Sequence, residues 1–255
     1  MATEADPARS EADASTEPAP RRSFGARLGA AVKETVIVLA MALTLSFVVK
    51  TFLVQAFYIP SQSMEDTLVT GDRVVVSKLT PGPFELSRGD VVVFEDPGGW
   101  LNETPPVNRG AALNAVRDAM TFVGLLPDTS EGHLIKRVVG LPGDRVQCCG
   151  DGGRLMVNGT PVDESPYIKP GTSASSVDFD ITVPAGTVWV MGDNRDDSSD
   201  SRFHDPSGTG SEGGVPVDLV VGKAEATVWP FDRFSRLSNH PEVFADVPQT
   251  RAVGQ

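Results

Sequence analysis

The sequence predicts a mainly β domain of antiparallel coiled sheets behind a single N-terminal transmembrane helix. Three observations carry that expectation. One apolar run near the amino end is preceded by basic residues, a long series of short aliphatic runs follows it, and 25 glycines with 20 prolines in 255 residues supply many tight turns.

The length allows one sizeable domain with appendages. A net charge of −12 argues against a nucleic-acid partner, because phosphate binding needs a basic face. Aromatic residues make up only 7% of the chain, too few for base-stacking platforms. No cofactor motif is present. The three histidines (His133, His204, His240) and the adjacent Cys148 and Cys149 lack metal-ligand spacing, so no metal is expected. The two cysteines either form a vicinal disulfide or sit reduced in a turn.

Residues 1–32 read as a disordered cytoplasmic tail. The first twenty hold Glu4, Asp6, Glu11, Asp13 and Glu17 among Ala, Pro, Ser and Thr, with no apolar periodicity. Charge then reverses with Arg21, Arg22, Arg27 and Lys33. Residues 35–49 are uncharged, Lys50 interrupts, and apolar character resumes to residue 58. Fifteen helical residues rise about 22 Å, short of a bilayer core of about 30 Å. The span is therefore set at 33–56, with the Lys50 amine reaching toward headgroups. Basic residues on the amino side put the tail in the cytoplasm and the rest on the outer face of the plasma membrane. A cleavable signal peptide ending near Val54-Gln55-Ala56 and a twin-arginine signal at Arg21-Arg22 compete with this reading. Against both, Lys50 falls where a cleavage region should be small and uncharged.

Residues 57–240 form the expected β domain, and 241–255 a loose end. Strands are expected at 74–76, 91–94, 134–141, 177–183 and 187–191, the fourth alternating Val177, Phe179, Ile181 and Val183 against Asp178, Asp180 and Thr182. Asn158-Gly159 between short apolar pairs reads as a two-residue hairpin turn. One stretch breaks the pattern: residues 111–126 place Leu113, Val116, Met120 and Val123 on one helical face. That face suits docking on a protein core or contact with a membrane surface.

The strand at 134–141 carries misplaced charge. Alternation puts Leu134, Lys136 and Val138 on one face and Ile135, Arg137 and Val139 on the other. A strand covered on both faces should read as a continuous apolar run, so two cations inside it need partners or a task. Arginine keeps its proton and must be paired. Lysine can lose its proton when desolvated and become a base, or can sit in an ion pair. Just after the apolar span comes Pro60-Ser61-Gln62-Ser63-Met64, whose serines by themselves suit an ordinary turn.

Six segments together resemble the bacterial type I signal peptidases, the Ser/Lys-dyad leader peptidases. Pro60-Ser61-Gln62-Ser63-Met64-x-x-Thr67-Leu68 is similar to their nucleophile motif. Gly71-Asp72-Arg73-Val74-Val75-Val76 and Arg88-Gly89-Asp90-Val91-Val92-Val93-Phe94 resemble the strands that follow. Lys136-Arg137-Val138-Val139-Gly140-Leu141-Pro142-Gly143-Asp144 resembles the general-base motif. Gly192-Asp193-Asn194-Arg195 through Arg202 resembles the acidic motif, and Val215-Pro216 through Ala224 the segment that closes the core. The order matches and residues 57–230 are covered. Glu65-Asp66 stands where an apolar residue and proline are frequent, and Asp197 where asparagine is usual.

The resemblance implies a signal-peptidase-like β fold and a membrane-bound serine endopeptidase. Its substrates would be preprotein signal peptides cut after A-x-A-like sites, its setting the lipid bilayer, and its state monomeric. It implies Ser63 as nucleophile, Lys136 as general base, and Ser61 hydroxyl with Ser63 N–H as oxyanion hole. Ser198 would hydrogen-bond the lysine amine. Phe57, Ile59 and Ile135 would line shallow substrate pockets, and Asp193, Arg195, Asp200 and Arg202 would form a structural ion-pair set, with Arg137 as a further member. A Ser-His-Asp hydrolase using His133 or His204 finds no G-x-S-x-G elbow in the chain. A non-enzymatic anchored β domain that binds extracellular partners is the alternative class.

Overall fold

The computed structural model describes residues 24–101 and 132–249, together with Leu113 and Met120. The amphipathic segment 111–126 thus lies outside the described residues except at those two positions, which are helical and exposed.

Helix α1 covers Phe24–Phe52, and within it Leu28–Phe52 is apolar enough to cross a membrane, with a mean hydropathy of 2.1. Twenty-five helical residues span roughly 37 Å, enough for a bilayer core. The expected limits of 33–56 need correction at both ends. The helix begins earlier, and residues 54–56 belong to strand β1, Val54–Tyr58. Pairing decides the exit: Val54 to Tyr58 lie opposite Ser77 to Arg73 of β2, Arg73–Ser77, and Phe57 is buried there. Ladder hydrogen bonds and an aromatic core contact outweigh continuation of the helix.

The main sheet adds β3 (Val91–Glu95), β4 (His133–Gly140), β9 (Thr187–Met191), β10 (Val215–Pro216), β11 (Val220–Trp229) and β12 (Ser235–Arg236). Its order is β1-β2-β11-β3-β4-β9-β10, with β12 on β11. A smaller sheet, ordered β7-β6-β5-β8, uses β5 (Arg145–Cys148), β6 (Met156–Val157), β7 (Thr160–Pro161) and β8 (Phe179–Thr182). All of the described pairings are antiparallel. The Asn158-Gly159 turn joins β6 to β7 with φ of 52° and 79°, the left-handed pair such a hairpin requires. Cys148 and Cys149 are joined to each other as a vicinal disulfide.

Alternation along β3 and β4 sends side chains into two separate cores. Val91, Val93 and Ile135 join Phe57, Ile59, Met64, Leu68 and Val74 on one face. Val92, Phe94, Leu134 and Val138 join Val188, Val190 and Val215 on the other. A third core under the small sheet unites Val146, Leu155, Val157 and Ile181 with Trp189 and Met191.

Of the end expected to be loose, 241–255, the described residues 241–249 are folded. Residues 241–244 form a 3-10 turn, and Phe244 and Val247 are buried in the third core. The Pro248 carbonyl accepts hydrogen bonds from Arg88 and Asn158. Burying Phe244 and Val247 contributes about 3–5 kcal/mol, which holds the segment down.

Candidate active site

The turn after β1 is pinned from both ends. Ile59 N–H donates to Asp72 O at 2.9 Å and Gly71 N–H returns to Ile59 O at 2.9 Å. Met64 and Leu68, both fully buried, anchor the turn from below, and Leu68 N–H donates to Met64 O at 2.7 Å. Ser63 is fixed further by Asn194, whose N–H donates to Ser63 O and whose Nδ2 donates to Gln62 O, both at 3.1 Å. Gly192 allows that approach: a Cβ there would overlap the Ser63 carbonyl and the Ser198 hydroxyl.

Lys136 comes from β4, directly opposite Val92 of β3. Its Nζ lies 2.6 Å from Ser63 Oγ and donates to Ile135 O at 3.1 Å, with no carboxylate among the described residues bonded to it. Burial of the amine dominates its chemistry and pulls its pKa from 10.5 down to about 8. Asp200, Asp193 and Asp197 oppose that fall, and Arg202 reinforces it. Ser61 Oγ lies 3.3 Å from Ser63 Oγ. Among the described residues, the Ser63 N–H enters no backbone hydrogen bond.

Ser198 departs from the role the resemblance implies. Its hydroxyl donates to Asp200 Oδ2 at 2.8 Å and is not bonded to the lysine amine. Asp200 is a strong acceptor because Arg202 grips it with Nε at 2.8 Å from Oδ1 and Nη2 at 2.8 Å from Oδ2, while Gly192 N–H donates at 2.9 Å. Burial would raise that carboxyl, but these donors hold it below the usual range.

The ion-pair set is real but differently wired. Arg137 pairs with Asp193 and Arg202 with Asp200, whereas Arg195 reaches Glu164 at 2.6 and 2.8 Å. Tyr167 completes that last group by donating to Glu164 at 2.7 Å. Glu164 carries no sequence signal, since its pairing with Arg195 is made only by the fold.

Beside Ser63 and Lys136 opens a cleft of about 300 Å³. Phe57, Ile59 and Ile135 line it, together with Val93, Leu134 and His133. Trp100 and Leu101 line it too, and sequence reading missed both. Asp96 builds that wall by accepting from the N–H groups of Gly98, Trp100 and Leu101 at 2.9 to 3.1 Å. The Asp96-Pro97-Gly98-Gly99 string ahead of Trp100 is the turn signal that marks the place.

The chain has close relatives of known class. A family model described as signal peptidase, peptidase S26, matches residues 32–229. A probable signal peptidase I of Mycobacterium leprae (strain TN) is 38% identical over 229 residues, covering 80% of this chain and 78% of its own. Signal peptidase I of Mycobacterium tuberculosis (strain ATCC 25618 / H37Rv) is 38% identical over 221 residues, covering 80% and 74%. Signal peptidase I of Leptolyngbya laminosa is 30% identical over 226 residues, covering 89% and 94%. The family match runs from within α1 to the end of β11 and encloses every residue of the site just described: the chain belongs to the signal peptidase, peptidase S26, family.

Proposed function

We propose that the chain is a membrane-anchored serine endopeptidase that removes signal peptides from exported preproteins, with Ser63 as nucleophile and Lys136 as general base. The observation that carries this reading is a buried lysine amine 2.6 Å from a serine hydroxyl, with no carboxylate among the described residues in hydrogen-bond contact to keep it charged. At pH 8 an exposed lysine is neutral in roughly 0.4% of molecules, whereas one with a pKa near 8 is neutral in about half.

In the neutral state the Ser63 O–H donates to Nζ. As Oγ attacks the scissile carbonyl, the proton passes to the amine, and the carbonyl oxygen becomes an oxyanion. The Ser63 N–H and the Ser61 hydroxyl, whose oxygen is 3.3 Å from Ser63 Oγ, would stabilise that charge. Collapse expels the substrate's new amino terminus, which takes the proton from Lys136 and leaves an acyl-enzyme on Ser63. Lys136 then deprotonates a water, which attacks the ester and regenerates Ser63.

Apolar side chains, those of Phe57, Ile59 and Ile135, take up part of the cleft wall near Ser63. That favours small side chains at the first and third residues before the cut, as in A-x-A sites. The apolar span of α1 would hold the β domain at the surface where preproteins emerge, on the outer face of the plasma membrane, with the basic amino end inside.

The test is incubation of the purified full chain with a preprotein and sequencing of the new amino terminus. Cleavage after an A-x-A site that disappears in Ser63→Ala is expected. Cleavage that persists in Ser63→Ala would refute the assignment. Protease added to intact spheroplasts should digest the β domain, and full protection would reverse the topology.

A further inference from the structure

Among the described residues, the β4 strand is paired on one side only where it meets the cleft. Its ladder with β3 runs from His133 to Arg137, but its ladder with β9 begins at Arg137. Leu134, Ile135 and Lys136 therefore have register partners on β3 alone, and their other side borders the cleft that Ser63 opens into.

An extended substrate laid along that border must send successive side chains to opposite faces of the sheet. The two faces differ. Phe57, Ile59 and Ile135 belong to one core, and Leu134 and Trp100 to the other. If the first and third residues before the cut enter the Ile135 face, the second and fourth are directed to the face of Leu134, Trp100 and Leu101. Leu134 lies two positions from Lys136, roughly 6.6 Å along the strand, which is two residues of extended substrate.

Trp100 is built to be a rigid surface there. Its ring stacks on His204 with centroids 4.2 Å apart and planes at 11°, and meets Phe94 edge-on at 5.8 Å. His204 is itself tied down, since only its Nδ1–H can donate to the Asp200 carbonyl, 2.9 Å away. Asp96 fixes the backbone from the other side through the N–H groups of Trp100 and Leu101. The indole is thus locked to the loop that carries Ser198 and Asp200, yet still faces the cleft.

We propose that Trp100, with Leu101, is a specificity-determining contact for the side chains two and four residues before the scissile bond, selecting apolar side chains there. The proposal rests on the protease reading and adds a second face to substrate selection. An apolar side chain at these positions is covered by the indole and loses its water, while a carboxylate is desolvated without a partner.

The test uses the full chain in detergent micelles and a peptide panel with Ala at the first and third positions before the cut. Leu, Ala or Asp is placed at the second or the fourth. Wild type should prefer Leu over Asp by about tenfold in kcat/KM at one or both positions. Trp100→Ala should reduce that preference to about twofold or less, Trp100→Phe should keep most of it, and both should still reject Phe at the first and third positions. An unchanged preference in Trp100→Ala, or a loss confined to the first and third positions, would overturn the proposal.

A measurement independent of turnover separates this from failure of the protease reading. The three tryptophans can be labelled as 5-fluorotryptophan in the Ser63→Ala background, with Trp100→Phe assigning the resonance. Adding the Leu-bearing peptide should shift the Trp100 signal. A bound peptide that leaves that signal in place sinks the subsite even where cleavage by wild type is normal. A shift seen without cleavage by wild type supports the subsite and counts against the protease.

Discussion

Lys136 and Arg137 are neighbours on β4, 4% and 0% exposed, and their chemistry diverges completely. Arg137 is met by an acid: Asp193 accepts from Nε at 2.9 Å and from Nη2 at 2.7 Å, Gly89 and Ser238 carbonyls take Nη1, and the Tyr167 ring lies 4.2 Å away. Burial works against its charge, but Asp193 more than cancels that and holds the guanidinium firmly protonated. Lys136 is met by a hydroxyl and a carbonyl, which stabilise its ammonium far less than a bonded carboxylate would. Burial therefore wins, and the amine falls to about 8. Partner chemistry, not burial alone, separates a structural cation from a usable base.

Exchanging the two chemistries gives the largest expected effect. Lys136→Arg places a guanidinium that keeps its proton at any usable pH, so kcat/KM should fall by about 10⁴-fold or more. On the proposed mechanism, in which only the neutral amine would accept the Ser63 proton, wild-type kcat/KM should rise tenfold per pH unit below about 8 and level off above it. A pH–rate profile decides both points. An active Lys136→Arg enzyme would remove Lys136 as the base.

Breaking the neighbouring pair should damage stability instead. Asp193→Ala leaves the Arg137 charge buried with two carbonyls and the Thr67 hydroxyl and should cost about 3–5 kcal/mol in denaturant unfolding. Arg137→Met combined with Asp193→Leu should recover much of that loss, since no buried charge remains. If Asp193→Ala left stability intact but abolished turnover, the pair would belong to the chemistry rather than to the scaffold.

How far these roles could be read beforehand follows the same division. Two cations in an aliphatic strand flagged β4, because local alternation exposes a charge out of place. The Asn158-Gly159 hairpin and the β3 run were equally local and equally readable. Partners made by the fold were not. Glu164 finds Arg195 and Trp100 finds His204 only through long-range packing, so neither has a sequence signature. Phe244 and Val247 sit among Pro, Asp and Gln, and their burial depends on a core assembled from the small sheet. The early end of the helix shows sheet pairing overriding an apolar pattern that would otherwise have continued.

Ser198 offers an intermediate effect. Its hydroxyl is given to Asp200, so it bears on Lys136 through that carboxylate rather than by touching the amine. Ser198→Ala should lower kcat by roughly ten- to a hundredfold with little change in KM, well short of Ser63→Ala. Loss as deep as that of Ser63→Ala would mean that Ser198 contacts the amine directly during turnover.

The smallest effect belongs to Asp197, which separates the two cations by reach alone. It lines the cleft from an exposed position and raises the Lys136 pKa by its charge, without a hydrogen bond to the amine. Removing that charge in Asp197→Asn should favour the neutral amine, moving the pH midpoint of kcat/KM downward. An exposed charge acts through solvent, so the displacement should be small, roughly a few tenths of a pH unit at low salt. The direction is fixed by the sign: an anion stabilises the ammonium, and its loss releases the proton at lower pH, so activity near pH 7 should rise. Salt at about 1 M screens beyond roughly 3 Å and should bring the two profiles together. Arg137 should show no such sensitivity, because its carboxylate is in direct contact and sealed from ions. An upward midpoint in Asp197→Asn, or a difference that survives high salt, would mean that Asp197 acts by shaping the Ser198 loop and not by its charge.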